Sequence, residues 1–281
     1  MPNRPVTRLR SGLVGRLAVV AVVVLVGAVG VWLLTRAAAP KPGLTTADIP
    51  ALQVTPAQVR PGSAVPVRLT AADPAVASRQ PSGANQPASL TDWANRVAGV
   101  TGIPVPALWA YGNAELAIRA TSPGCQLTWA TLAGIGRVES NHGQFGGAHL
   151  LPNGEESAPV IGVPLDGTGG VRNIPDTDHG RWDGDPVYDH AVGPMQFLPS
   201  TWRVYGADAL GNGQPDPENI NDAALAAADY LCVGGRDMET ASGWWSGIMS
   251  YNDSADYGQK VFGLADSYAR EAYAALSTTT H

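Results

Sequence analysis

Lysine is almost missing from the part of the chain that reads as folded, where Lys260 is the one example. Net charge is −6 and no basic stripe is present to follow a phosphate backbone, which excludes nucleic acid as a partner. A neutral or amphiphilic polymer such as a glycan suits this composition better. Histidine is sparse too, and His142, His149, His179 and His190 lack H-E-x-x-H spacing, which removes the usual helical zinc site. No internal repeat is evident. Regular hydrophobic period is absent between Leu150 and His190, where Gly, Pro and Asp crowd together. Loops of that length inside a domain are functional or disordered, and short strands and turns beside a cleft are expected there.

What is present is strongly segmented. Arg4, Arg8, Arg10 and Arg16 precede an uncharged apolar run from Leu17 to Leu34. As a helix this run spans about 27 Å, close to the roughly 30 Å of a bilayer core. The arginine excess keeps the N-terminus inside. Residues 1–16 therefore read as a cytoplasmic segment and 17–36 as a transmembrane signal anchor. The alternative is a cleaved signal peptide, with Ala37-Ala38-Ala39 as its cleavage site. Residues 37–88 are rich in Pro and Ala and lack a core-forming pattern, so they read as an extracytoplasmic linker.

The folded domain is expected over 89–281, mainly α, with the loop-rich stretch as an insertion. Ser89 or Thr91 can cap a helix carrying Trp93, Val97 and Val100. Pro106 suits the first turn of the next helix, which runs to Arg119. Ser200 is placed to cap a short helix, and Asn221 or Asp222 the run Ala223 to Leu231. Thr240 to Ser250 and Ala255 to Leu276 complete the set. Cys125 and Cys232 both fall in the exported part, where a bonded pair is favoured over two buried thiols.

The organising stretch runs from Thr128 to Gly143. Leu132, Ile135 and Val138 mark a buried helix side, while Gly134 and Gly136 imply close packing by another backbone. Asn141 and Gly143 end the helix, which leaves Glu139 in its last turn, against the negative end of the macrodipole. Burial there raises a carboxyl pKa further. Such a placement is poor for stability and suited to a general acid near neutral pH. A second stretch, Gly193-Pro194-Met195-Gln196-Phe197-Leu198-Pro199-Ser200, presents an amide and an aromatic ring just before a helix. A third, Tyr251-Asn252, offers a hydroxyl and an amide at a helix end.

In order and spacing these three pieces resemble the lytic transglycosylases of the bacterial cell wall. Gly136-Arg137-Val138-Glu139-Ser140-Asn141-His142-Gly143, the Gly-x-x-Gln-Phe-x-Pro-Ser segment and Tyr251-Asn252 look like those of the membrane-bound lytic murein transglycosylase B family and its actinobacterial relatives. The resemblance covers roughly residues 90–275; the 150–190 region departs from it. It implies a lysozyme-like helical fold and cleavage of the MurNAc-β-1,4-GlcNAc bond in peptidoglycan glycan strands, with no cofactor required. Glu139 is implied as the single catalytic acid and then base, closing a 1,6-anhydromuramic ring. Ser140, Gln196, Phe197, Tyr251 and Asn252 are implied at the substrate, with Ser140 also placed as a partner of the Glu.

Two further readings stay open on the residues. Asp208, Asn212, Gln214 and Asn219 look like a degenerate calcium loop, with Leu210 where an oxygen ligand should stand; an ordinary Asn-Gly turn is the alternative. Asp183, Asp185 and Asp189 could supply the second carboxylate of a water-using muramidase, and a non-catalytic, membrane-tethered wall-binding protein is the other alternative.

Overall fold

The computed structural model describes residues 54–71 and 89–278. The expected cytoplasmic segment 1–16, the membrane span 17–36 and much of the 37–88 linker lie outside the described residues. Among those described, no helix is long and apolar enough to cross a membrane.

Ser89 opens the first helix, α1 (Leu90–Thr101), through a reciprocal bond: its hydroxyl accepts from the Asp92 amide, and Asp92 accepts from the Ser89 amide. Trp93, Ala94 and Val97 form its buried side. Val100, placed on that side by spacing, is instead 45% exposed, in the last turn of the helix. α2 (Val105–Thr121) carries Pro106 in its first turn, where no amide donor is missed.

α3 (Trp129–Ser140) is the centre of the domain. Every residue in it except Arg137 is buried, so the apolar stripe read from Leu132, Ile135 and Val138 understates its burial. Its glycines have the expected close neighbours. A side chain at Gly134 would lie 2.8 Å from the Val261 carbonyl, and one at Gly136 would lie 2.1 Å from the Tyr111 hydroxyl. The first is a backbone approach, as expected; the second is a side chain's.

Two of the next helix starts differ by one to three residues. α4 (Pro199–Tyr205) begins with proline and has no side-chain cap, so Ser200 lies inside it. α5 (Ile220–Leu231) is capped by Asn219, two residues before Asn221 and three before Asp222. α6 (Ala241–Tyr251) is capped by Thr240, and α7 (Ala255–Thr278) is the last helix among the described residues. α7 packs on α3, and α5 on α2.

The 150–190 insertion holds no named strand among the described residues. Isolated antiparallel bridges such as Ile161 with Val192 and Pro175 with Tyr188 tie it together instead. Its aspartates fold it locally: Asp166, Asp176, Asp183 and Asp185 all accept backbone amides within a few residues. The Cys125–Cys232 pair is bonded, across a sequence separation of 107.

One segment corrects the linker. Residues 54–71 do not hang free but lie along the domain as an extended arm. Val67 donates to Asp266 Oδ1 at 2.8 Å, Trp245 Nε1 donates to the Ala64 carbonyl at 3.0 Å, and Gln259 Nε2 donates to the Val59 carbonyl at 2.8 Å. Leu69 and Ala71 join the core at 2% and 6% exposure. Three prolines at 56, 61 and 66 read as unstructured, yet they favour the extended course that lets helices supply the arm's hydrogen-bond partners.

Candidate active site

Glu139 stands in the last turn of α3, which Asn141 ends in the left-handed conformation at φ 55°. Its carboxyl is almost wholly buried, at 5% residue exposure. Burial pushes its pKa up from 4.5 to about 7, and a hydrogen bond from the Tyr257 hydroxyl pulls the other way. That bond, Tyr257 Oη to Glu139 Oε1, is 2.6 Å long. Burial wins, so the group holds its proton near neutral pH.

The turn after the insertion is the second wall. Gly193 adopts φ 75°, and a side chain there would lie 1.8 Å from the Pro217 carbonyl, so only glycine fits. Gln196 is left-handed as well, at φ 49°. Its amide nitrogen donates to the Val160 and Gly193 carbonyls at 3.0 and 2.9 Å. Gln196 Oε1 is buried and accepts no protein donor among the described residues. The carboxamide thus has its donors engaged and its buried oxygen without a protein donor among the described residues.

The structure brings the three sequence stretches together through that turn. Ser140 Oγ donates to the Pro194 carbonyl at 2.7 Å and accepts the Gly143 amide at 2.6 Å. Tyr251 Oη donates to the Met195 carbonyl at 2.7 Å. Phe197 meets Tyr251 edge to face at 5.9 Å and Trp202 at 5.5 Å. Tyr251 continues into Tyr230 at 5.7 Å, and Tyr230 into Tyr205 at 5.0 Å. Asn252 follows as the cap residue of α6, partly exposed, with its amide donating to the Ile248 carbonyl.

One placement changes on this geometry, that of Ser140, while Phe197 backs Tyr251 as expected. Ser140 is fully buried, and its hydroxyl bonds hold the Gly193–Phe197 turn onto α3 rather than reaching Glu139. Phe197 is 3% exposed and supports Tyr251 from inside. Tyr257 was not singled out from sequence. Its signal was a tyrosine opening the stripe Tyr257, Val261, Ala265, Tyr268 at helical spacing, indistinguishable there from ordinary core.

The carboxylates weighed for water activation are all engaged elsewhere. Asp189 is fully buried and accepts from the Thr177 amide and hydroxyl, each at 2.8 Å. Asp183 accepts from the amides of Asp185 and His190. Asp185 accepts from the Val187 amide and pairs with His190 Nε2 at 3.2 Å.

The residues at the calcium-like loop do not fit a resident ion. Both Asp208 oxygens accept amides, from Asn212 at 3.1 Å and Gly213 at 2.7 Å. Asn212 Oδ1 accepts the Gln214 amide, and Asn219 Oδ1 caps α5. One carboxylate among the four falls short of the oxygen-rich, highly charged set that calcium takes.

Residues 180–245 match the family model described as Transglycosylase SLT domain. No curated protein and no solved structure matches the chain. The matched stretch contains the Gly193–Ser200 turn, and it lies between Glu139 and Tyr251 without reaching either. It identifies an enzyme with lytic transglycosylase activity on peptidoglycan, a chemistry that needs no cofactor.

Proposed function

We propose that this lytic transglycosylase cleaves the MurNAc-β-1,4-GlcNAc bond and leaves a 1,6-anhydromuramic end, with Glu139 as the single acid and base. The observation that carries the reading is a buried carboxyl with its pKa near 7, held by one tyrosine at the helix end to which Ser140 bonds the turn of the matched domain. Protonated Glu139 gives its proton to the glycosidic oxygen as the bond to muramic C1 breaks. The resulting carboxylate takes the proton of the muramic C6 hydroxyl as O6 bonds to C1, which restores the acid. No water enters, so no second carboxylate is required, in contrast to paired-carboxylate glycosidases. The engagement of Asp183, Asp185 and Asp189 in backbone turns supports this over hydrolysis.

In this reading Gln196 Oε1 and Asn252 take N-acetyl or hydroxyl donors of the glycan, and Tyr251 lines the subsite beside Glu139. The domain works outside the cytoplasmic membrane, tethered by residues 17–36 with the N-terminus inside. The bonded cysteine pair supports an oxidising compartment.

Mass spectrometry of muropeptides released by the full-length protein tests the reaction. Products about 18 Da lighter than hydrolytic ones are expected, because O6 replaces water. Free reducing ends would make the protein a muramidase. Glu139→Gln should abolish release while leaving sedimentation with purified peptidoglycan intact; retained release would remove Glu139 from its role.

A further inference from the structure

Three consecutive residues after Ser140 are left-handed: Asn141 at φ 55°, His142 at 59° and Gly143 at 76°. A residue other than glycine is uncommon in this backbone region, histidine being among the more tolerated, and the His142 residue is 2% exposed. His142 Nδ1 lies 3.1 Å from the Tyr111 hydroxyl on α2, and Nε2 lies 3.3 Å from the Tyr268 hydroxyl on α7. Burial lowers its pKa to about 3 and raises both tyrosines, with Arg137 lowering the imidazole further, so all three stay neutral across the working range. A wholly buried phenol needs an acceptor for its proton. Tyr111 therefore donates to Nδ1, which places the ring proton on Nε2, donating to Tyr268.

This chain of bonds joins three helices at the turn that carries Glu139. Tyr111 also fills the space left by Gly136, one turn before Glu139. The His142 amide donates to the Gly136 carbonyl at 2.8 Å, which closes the helix end. Tyr268 belongs to α7, the same helix that supplies Tyr257 to Glu139. Tyr257 and Tyr268 are eleven residues apart, about three helical turns, and so share a face. We infer that Tyr111, His142 and Tyr268 form a positioning clamp, with His142 at its centre, that fixes α7 against the end of α3 and so holds Tyr257 on Glu139. None of the three is placed at substrate. This inference rests on Glu139 being the acid.

The clamp predicts how activity is lost. A small displacement of α7 lengthens the Tyr257–Glu139 bond without touching the glycan site. Tyr268→Phe keeps the ring and the fold but drops the hydroxyl. His142→Asn keeps a residue tolerant of left-handed backbone but is too short to bridge both tyrosines. Each should lower kcat on soluble peptidoglycan fragments by about tenfold with KM unchanged, since misplacement of a reacting group acts on the chemical step. Combined with Tyr257→Phe, neither should cost much beyond the larger single loss, because they act through one bond. Losses that multiply, or an unchanged kcat at unaltered melting temperature, would overturn the clamp. Full-length protein carrying Glu139→Gln serves as control. Activity remaining there refutes the acid assignment and the clamp with it, whereas an inactive control beside an unaffected Tyr268→Phe refutes the clamp alone.

Discussion

Glu139 and Tyr257 concentrate the chemistry in one hydrogen bond, and their energetics can be read in two directions. Tyr257 favours the charged form of the carboxyl, opposing burial. Tyr257→Phe should therefore raise the Glu139 pKa further and move the alkaline limb of the rate profile to higher pH; a limb that stays in place would separate it from Glu139. The same burial has a stability consequence. The folded pKa is raised from 4.5 to about 7, so this group's contribution is fully present below about pH 4.5, fades as pH rises, and is lost once pH passes about 7. Glu139→Gln removes the dependence. Urea unfolding should find the variant more stable than wild type at pH 8, by up to about 3 kcal/mol, with the difference vanishing near pH 4. Glu115, likewise raised to about 7 mainly by burial, titrates in both proteins and cancels. A difference independent of pH would show that the carboxyl is not desolvated.

At the scale of elements, Glu115 joins the arm to the catalytic helix. It lies on α2, accepts the Trp129 amide at the start of α3 at 2.8 Å, accepts the Ala71 amide at 3.2 Å on each oxygen, and pairs with Arg119. Thr128 makes no side-chain cap, so Glu115 stands in as the acceptor for that helix end. The arm is thus part of the domain's hydrogen-bond network, and Leu69→Ala should cost about 2–5 kcal/mol in chemical unfolding, the usual range for a core leucine. A cost within about 0.5 kcal/mol would mark the arm as detachable. The arm also shows why the sequence misled here. Helices announce themselves by period and caps, as Ser89 and Pro106 do, and these were legible to within a residue or two. An extended segment whose donors and acceptors are met by Asp266, Gln259 and Trp245 has no period of its own. For the same reason the insertion's aspartates read as candidate acids, since a side chain folding its own loop looks identical in sequence to one facing a substrate.

Over the whole molecule, the 107-residue separation between Cys125 and Cys232 encloses α3, the insertion and all but the last residues of the matched domain. Within that loop, α3 and α5 are regular but the residues from Gly143 to Leu198 are held by isolated bridges and aspartate turns. Such a stretch has much conformational freedom to lose on folding, and a covalent closure removes part of that freedom from the unfolded chain beforehand. The chain-entropy relation puts the effect at about 4–5 kcal/mol for a loop of this length, a large share of the roughly 5–15 kcal/mol that stabilises an ordinary domain. The bond lies before the start of α3, whose last turn carries Glu139. Cys125 precedes α3 and its carbonyl accepts the Met238 amide at 2.7 Å, while Cys232 ends α5. Cys125→Ala with Cys232→Ala, or full reduction, should lower the melting temperature by about 10–15 °C while the remaining folded protein still releases muropeptides at 25 °C, because neither cysteine touches Glu139. An unchanged melting temperature would mean that packing of α3 against α7 alone closes the loop.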